Sequence, residues 1–204
     1  MTVGAVKGVV FDIGNVIVRW NPRTLYAKIF PDPAERDWFL THVCTMAWHT
    51  AHDGGVTFAD NRAILLAQFP EHAEAIEAWE LRWDEMFSGA IAETESVIED
   101  LAARGVPKFA LSNMSHETEA MTFAMSPAFA HLRATVVSGR EKVMKPSPRI
   151  FEILCERARM TPGELMFVDD SPLNIAAARA LGFDAFLFYD PASLRPALEQ
   201  RGLL

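Results

Sequence analysis

Val6-Lys7-Gly8-Val9-Val10-Phe11 is an apolar run that stops on Asp12, and Glu164-Leu165-Met166-Phe167-Val168 stops in the same way on Asp169-Asp170. Short runs rich in β-branched and aromatic residues, closed by polar ones, read as buried strands. Three further segments share the pattern: Pro107-Lys108-Phe109-Ala110-Leu111 before Ser112-Asn113, Ala134-Thr135-Val136-Val137 before Ser138-Gly139, and Phe183-Asp184-Ala185-Phe186-Leu187-Phe188 before Tyr189-Asp190. Helical periods separate them. Residues 94–104 place Val97, Ile98 and Leu101 on one face, with Gly105 as the C′ residue. Ser147-Pro148 and Ser171-Pro172 read as N-cap and first position of two more helices, the second ended by Gly182. A last helix over residues 192–201 must hold Pro196 in its first turn.

Strands alternating with helices predict an α/β fold, a Rossmann-like doubly wound parallel sheet with right-handed crossovers. Residues 21–88 interrupt this rhythm with helical stretches carrying Trp38, Phe39, Trp48, Phe58, Phe69, Trp79, Trp83 and Phe87, and with no convincing strand. The expected organisation is therefore a core of residues 1–20 and 89–204 with an inserted all-helical cap of 21–88. Most of those aromatics should form the insertion's own core, with one or two lining the crevice. Inside the insertion, Gly54-Gly55 is a loop, and Thr57 with Asp60 forms a capping box that restarts the helix.

The chain has 204 residues, 50% of them hydrophobic, enough to bury a full core. A formal charge of -8, with 19 Lys and Arg that never form a run, argues against nucleic acid and favours a small-molecule partner. Cys44 and Cys155 match no metal spacing and read as reduced core thiols. A strand expected directly after Met1-Thr2 leaves no room for a signal sequence, and no apolar stretch is long enough to span a bilayer, so the expected location is cytoplasmic, without a membrane partner.

In one parallel sheet Asp12, Asp169 and Asp170 would crowd the carboxyl edge, where open α/β folds bind ligands. Like charges in such a crevice raise each other's pKa, and an all-oxygen cluster suits Mg2+. Metal-assisted chemistry is the reading that follows.

Together, Phe11-Asp12-Ile13-Gly14-Asn15-Val16, Ser112-Asn113, Lys145-Pro146 and Val168-Asp169-Asp170-Ser171 resemble the four ordered motifs of the haloacid dehalogenase (HAD) superfamily. The resemblance is nearest to the branch with a helical C1-type cap after the first motif, and within it to phosphatases of alpha-glucose 1-phosphate and similar sugar phosphates. It implies an Mg2+-dependent phosphomonoester hydrolase in which Asp12 is the nucleophile and forms an aspartyl-phosphate. Ser112 and Asn113 would contact the phosphate, and Lys145 would offset its charge. Asp12, the Gly14 carbonyl and Asp170 would ligate the metal, with Asp169 behind them in a water-mediated contact or a lattice of hydrogen bonds, and Asn174 holding Lys145 or Asp170. Plain alternatives stand beside these roles: a turn serine, a helix cap at Asp169-Asp170, a turn or cap group at Asn113 and Asn174.

The chain departs from the family at Gly14, where most phosphatases of the superfamily carry an acid that protonates the leaving oxygen. General acid-base help is worth about 10²–10⁴ in rate. A sugar 1-phosphate, whose anomeric oxygen leaves readily, needs less of it. A lid histidine, His49 or His52, is another source of protons, although the plainer expectation for both is the helix surface. Gly14 also admits a 2-haloacid dehalogenase, which uses the same aspartate without metal. Against that stands the Asp169-Asp170 pair, whose uncompensated charge would oppose attack by another anion. A third alternative is a catalytically idle metabolite-binding or interaction module. Substrate choice is expected at Arg19, Trp20, Asn21, His49, His52 and Gly54, at the lid boundaries and the mid-lid loop.

Overall fold

In the computed structural model, which describes residues 5–204, the first strand is β1 (Gly8–Phe11), with all four residues buried. The stretch expected to be extended directly after Thr2 falls partly on residues 1–4, outside the described residues. β1 is central in a five-stranded parallel sheet with β4 (Lys108–Ser112), β5 (Ala134–Val137), β6 (Leu165–Asp169) and β7 (Asp184–Leu187), in the order β5-β4-β1-β6-β7. Its period of two divides the core. Val9 and Phe11 join Met166, Val168 and Ala110 on one face, against α6 (Ala92–Ala103) and α11 (Leu194–Glu199). Val10, Phe109, Leu111 and Phe167 face the other way, against α9 (Pro148–Ala158) and α10 (Pro172–Ala180). Helices on both faces are what an all-parallel sheet requires, since neither face can be left to water.

The insertion holds α1 (Pro22–Ile29), α2 (Pro33–His42), α3 (Met46–Asp53), α4 (Phe58–Gln68) and α5 (Ala73–Leu81). It has its own core, in which Tyr26, Phe39, Ile76, Trp79 and Met86 are fully shielded. Trp38 does not join it; it is 45% exposed and stacks on His42. The insertion meets the core domain through an antiparallel ribbon of β2 (Val18–Trp20) and β3 (Phe87–Ala90) that the sequence pattern does not announce.

Local signals are mixed. Gly105 (φ 72°) and Gly182 (φ 91°) take the left-handed C′ conformation expected of them. Thr57 caps α4 through the Asp60 amide at 3.1 Å. Ser147 and Ser171 stand at the N-cap positions of α9 and α10, but neither side chain makes a cap hydrogen bond. The Ser171 amide itself donates to Asp169 Oδ1 at 2.8 Å. The cysteines are free. Among the described residues no helix is long and apolar enough to cross a membrane.

One close approach ties the lid side of the core together. A Cβ on Gly139, in α8 (Ser138–Glu141), would stand 2.7 Å from the His116 amide nitrogen and 2.9 Å from the Met114 carbonyl oxygen. Backbone atoms cannot swing aside, so Gly139→Ala is expected to cost about 1–3 kcal/mol in a denaturation midpoint. Gly163→Ala, whose Cβ would meet nothing nearer than 3.8 Å, is the control expected to stay near wild type.

Candidate active site

Register builds the site. Phe11 pairs with Ala110 on one side and Val168 on the other, so the next residues, Asp12 and Asp169, end their strands side by side, with Ser112 closing β4 beyond them. The Asp12 amide donates to the Val168 carbonyl at 2.8 Å, carrying the ladder one residue past β1. Asp12, Asp169 and Asp170 each offer an oxygen within 4.8 Å of the others. The expected acidic cluster is therefore present.

Lys145 arrives beside it from the loop before α9. Its Nζ donates to Leu111 O at 2.9 Å and Asp169 Oδ2 at 2.7 Å, and lies 3.0 Å from Asp12 Oδ2, so each of its three N–H groups has an acceptor. Burial opposes the charge on this ammonium, but Asp12 and Asp169 more than offset it, and the pKa of Lys145 is raised. Asp12 is also buried, and desolvation pushes its carboxyl up despite Lys145, with the charge of Asp169 adding to the rise. Asp12 Oδ1 accepts the Ile13 amide at 2.7 Å, which fixes the carboxylate's orientation.

The supporting side chains differ from expectation. Asn113 exchanges two hydrogen bonds with the main chain of Lys145, at 2.8 and 2.9 Å, so its amide positions the lysine while the residue also lines the cavity above the sheet edge. Asn174 Nδ2 donates to both oxygens of Asp169, at 3.0 and 3.2 Å, and holds neither Lys145 nor Asp170. Asp169 thus accepts from Lys145, Ser171 and Asn174, the lattice of hydrogen bonds anticipated for it. Asn15, for which the sequence analysis gave no role, sits at φ 57° and accepts the Trp20 amide at 3.1 Å, coupling the first motif to the end of β2.

Above the edge lies a cavity of about 140 Å3 lined by Ile13, Gly14, Ser112, Asn113 and Met114 from the core and by Trp20, Met46, His49, Asp53, Trp83 and Phe87 from the lid and its ribbon. Trp20 and His49 are stacked, with ring centroids 5.1 Å apart. Neither His49 nor His52 is on the helix surface; both are buried. His52 packs on Phe58 at 4.1 Å and meets Asn61 at 3.1 Å inside the lid, away from the cavity. Gly54 also stays out of the cavity, its nearest core side chain being Met144. Arg19 and Asn21 line a second, more open cleft of about 640 Å3 with Asn15 and Asp170. Asp53, unremarked in the sequence, is buried in the first cavity. A Cβ on Gly14 would find no atom within 4 Å, so crowding is not what keeps an acid from that position.

A family model described as haloacid dehalogenase-like hydrolase matches residues 6–182. The D-ribitol-5-phosphate phosphatase of Bacteroides thetaiotaomicron is 40% identical over 42 residues, 21% of this chain and 20% of that protein. Acyl-CoA dehydrogenase family member 10 of Mus musculus is 28% identical over 102 residues, 50% of this chain and 9% of that one. The aligned region thus spans a fifth or less of either curated relative. Among solved structures, a HAD family enzyme from Bacteroides thetaiotaomicron in complex with magnesium and inorganic phosphate superimposes with a TM-score of 0.68 at 20% identity, over 90% of this chain and 94% of that one. The L-2-haloacid dehalogenase of Xanthobacter autotrophicus, with chloropropionic acid covalently bound, superimposes with a TM-score of 0.66 at 16% identity, over 98% and 84%. These two likenesses are of fold, and they do not choose between phosphate and halide chemistry. With the matched region running from β1 through α10 and including every motif at the sheet edge, the chain belongs to the haloacid dehalogenase-like hydrolases.

Proposed function

We propose that the chain is an Mg2+-dependent phosphomonoester hydrolase acting on a small phosphorylated metabolite of the sugar or polyol class, such as glucose 1-phosphate, through an aspartyl-phosphate on Asp12. In this reading residues 21–88 are a C1-type cap over a core of 1–20 and 89–204. The observation that carries it is the cluster of Asp12, Asp169 and Asp170, with oxygens within 4.8 Å and a single ammonium, Lys145, among them. Three carboxylates against one cation leave an excess of negative charge, and an anionic ester approaches such a place only if a further cation is held there. The donor set is all oxygen, which fits Mg2+. The acceptor positions of Asp169 are already engaged by Lys145, Ser171 and Asn174, so Asp12 and Asp170, with the Gly14 carbonyl, are the groups to hold the ion. Bound there, it would draw charge from the phosphoryl oxygens.

The protein's own groups supply the rest. Asp12 is oriented by the Ile13 amide toward an incoming phosphorus, and Lys145 balances charge on the nucleophile side. Ser112, at the end of β4, can donate its hydroxyl to a phosphate oxygen. The leaving group would lie in the aromatic-walled cavity, whose volume of about 140 Å3 is close to that of a benzene-sized void. That size favours a small metabolite and requires the lid to open for entry.

The test is phosphate release from sugar and polyol phosphates with Mg2+, repeated in EDTA. Activity should vanish in EDTA, and Asp170→Ala should abolish the Mg2+-dependent activity, a larger loss than the roughly 10–100-fold typical of groups that only support a ligand. A fully active Asp170→Ala enzyme would remove Asp170 from the metal site. The apolar cavity wall and Gly14 leave a dehalogenase as the second reading, which halide release from 2-chloropropionate persisting in EDTA would select.

A further inference from the structure

We propose that Asp53, carried by the lid, is the general acid and base of this reaction, supplying the proton that Gly14 cannot. The inference rests on the phosphatase reading above and adds the group that serves the leaving oxygen.

Asp53 is the last residue of α3, where the negative end of the helix dipole makes a carboxylate unwelcome. It is only 8% exposed, and its Oδ1 has no hydrogen-bond partner; the nearest basic group, His49 Nε2, is 3.7 Å away, beyond hydrogen-bond reach. Nothing about this placement favours stability. What it does provide is an acid in the wall of the same cavity as Gly14, Ser112 and Asn113, the cavity that the leaving group would occupy.

The loop that follows is held to the core at three points. Ser138 Oγ donates to the Asp53 carbonyl at 2.6 Å, and the Phe58 amide donates to Glu117 at 2.7 Å. Gly55, at φ 95°, lies so near α8 that a Cβ there would stand 2.9 Å from the Gly139 carbonyl oxygen. With the lid down, Asp53 is therefore fixed relative to the strand ends and does not drift with a surface loop.

Its chemistry fits. Burial, the largest influence, pushes the Asp53 carboxyl well above the usual carboxylate range, which suits it to hold a proton for a leaving oxygen. The lid histidines are less suited: burial lowers His49 to about 3 and His52 to about 4, which leaves both neutral and without a proton to give as imidazolium. In the first step Asp12 forms a bond to phosphorus, the ester P–O bond breaks, and the Asp53 proton passes to the leaving oxygen, giving an alcohol and an Asp53 carboxylate. In the second, water attacks phosphorus, its proton returns to Asp53, and the P–O bond to Asp12 breaks, releasing phosphate.

Asp53→Asn keeps the shape and removes the proton. Its effect should depend on the leaving group, measured with Mg2+ on two esters: 4-nitrophenyl phosphate, whose phenolate leaves unaided, and the fastest of glucose 1-phosphate, glucose 6-phosphate and D-ribitol 5-phosphate. On the sugar or polyol ester kcat/KM should fall about 10²–10⁴-fold. On 4-nitrophenyl phosphate the variant should release a burst of nitrophenolate equal to the enzyme present and then slow, because the second step has lost its base. Asp53→Ser carries the same expectation should the amide fold poorly. Variant turnover of the sugar or polyol ester at the wild-type rate, or equal losses on both esters with no burst, overturns the role of Asp53 while leaving the phosphatase reading intact. Wild-type protein that releases phosphate from none of the four esters overturns both.

Discussion

Asp12→Asn is expected to lower kcat by about 10⁴-fold or more, the scale on which removing a covalent nucleophile acts. The side chain has a single geometry to offer. Its amide is held by Val168, its Oδ1 by the Ile13 amide at 2.7 Å, and its Oδ2 by Lys145 at 3.0 Å. Asparagine can keep the contact to Ile13 with its own oxygen, but it presents a neutral amide where attack on phosphorus needs a carboxylate. Fold and stability should survive, because the substitution removes a charge that burial and Asp169 already disfavour, and Lys145 retains Asp169 as partner. Steady-state phosphate release reads the loss, and mass spectrometry of acid-quenched enzyme reads its cause: wild type should carry a covalent phosphate that the variant lacks. A variant that turns over at the wild-type rate would remove Asp12 as nucleophile.

The strand ends were legible because a buried strand has a short period and a sharp boundary. Val9, Val10 and Phe11 could only be interior, so Asp12 had to stand at an edge, and the same held for Asp169 after Val168. Parallel pairing then brings together residues far apart in sequence, and the acidic cluster follows from topology. The groups that were not legible depend on contacts that no local period encodes. Asp53 lies in a stretch, Met46–Asp53, whose histidines read as a solvated helix face and whose acid carries no local signal; packing of the insertion on the core, marked by the Ser138 bond across 85 residues, is what no local pattern shows. That Asn113 also holds the main chain of Lys145, 32 residues on, could not be read from its position after Ser112. The ribbon of β2 and β3 escaped because three- and four-residue strands containing Gly89 carry too little alternation to register. Ser147 and Ser171 hold the residue type and position of caps, but neither hydroxyl accepts an amide of its helix's first turn.

Lys145→Met should be the most destabilising single change at the site. The lysine side chain is 1% exposed and serves three acceptors, two of them carboxylates that are themselves nearly or fully buried. Methionine matches its length and apolar stem but leaves Asp12 and Asp169 facing each other without a counter-charge. Breaking a buried ion pair from one side costs about 3–5 kcal/mol, and for a domain of this size each kcal/mol moves the thermal midpoint by about 2–4 °C. A fall of the order of 10 °C is therefore expected in metal-free buffer. The loss should also depend on pH in a definite direction. Asp12 ionises in the unfolded chain at its ordinary value near 3.8, whereas burial raises it in the folded protein, and the substitution removes Lys145, the main influence that lowers it. A carboxyl whose folded pKa is raised lends stability at low pH that drains away as pH climbs from the unfolded value to the folded one. The variant should accordingly be closest to wild type near pH 4–5 and furthest from it above pH 7, whereas a lost surface ion pair would already show its full deficit by about pH 5. Adding Asp169→Asn to Lys145→Met should recover part of the midpoint, because one orphaned charge is removed with its partner. A single variant as stable as wild type at pH 8 would mean that the ammonium is not what holds these carboxylates together.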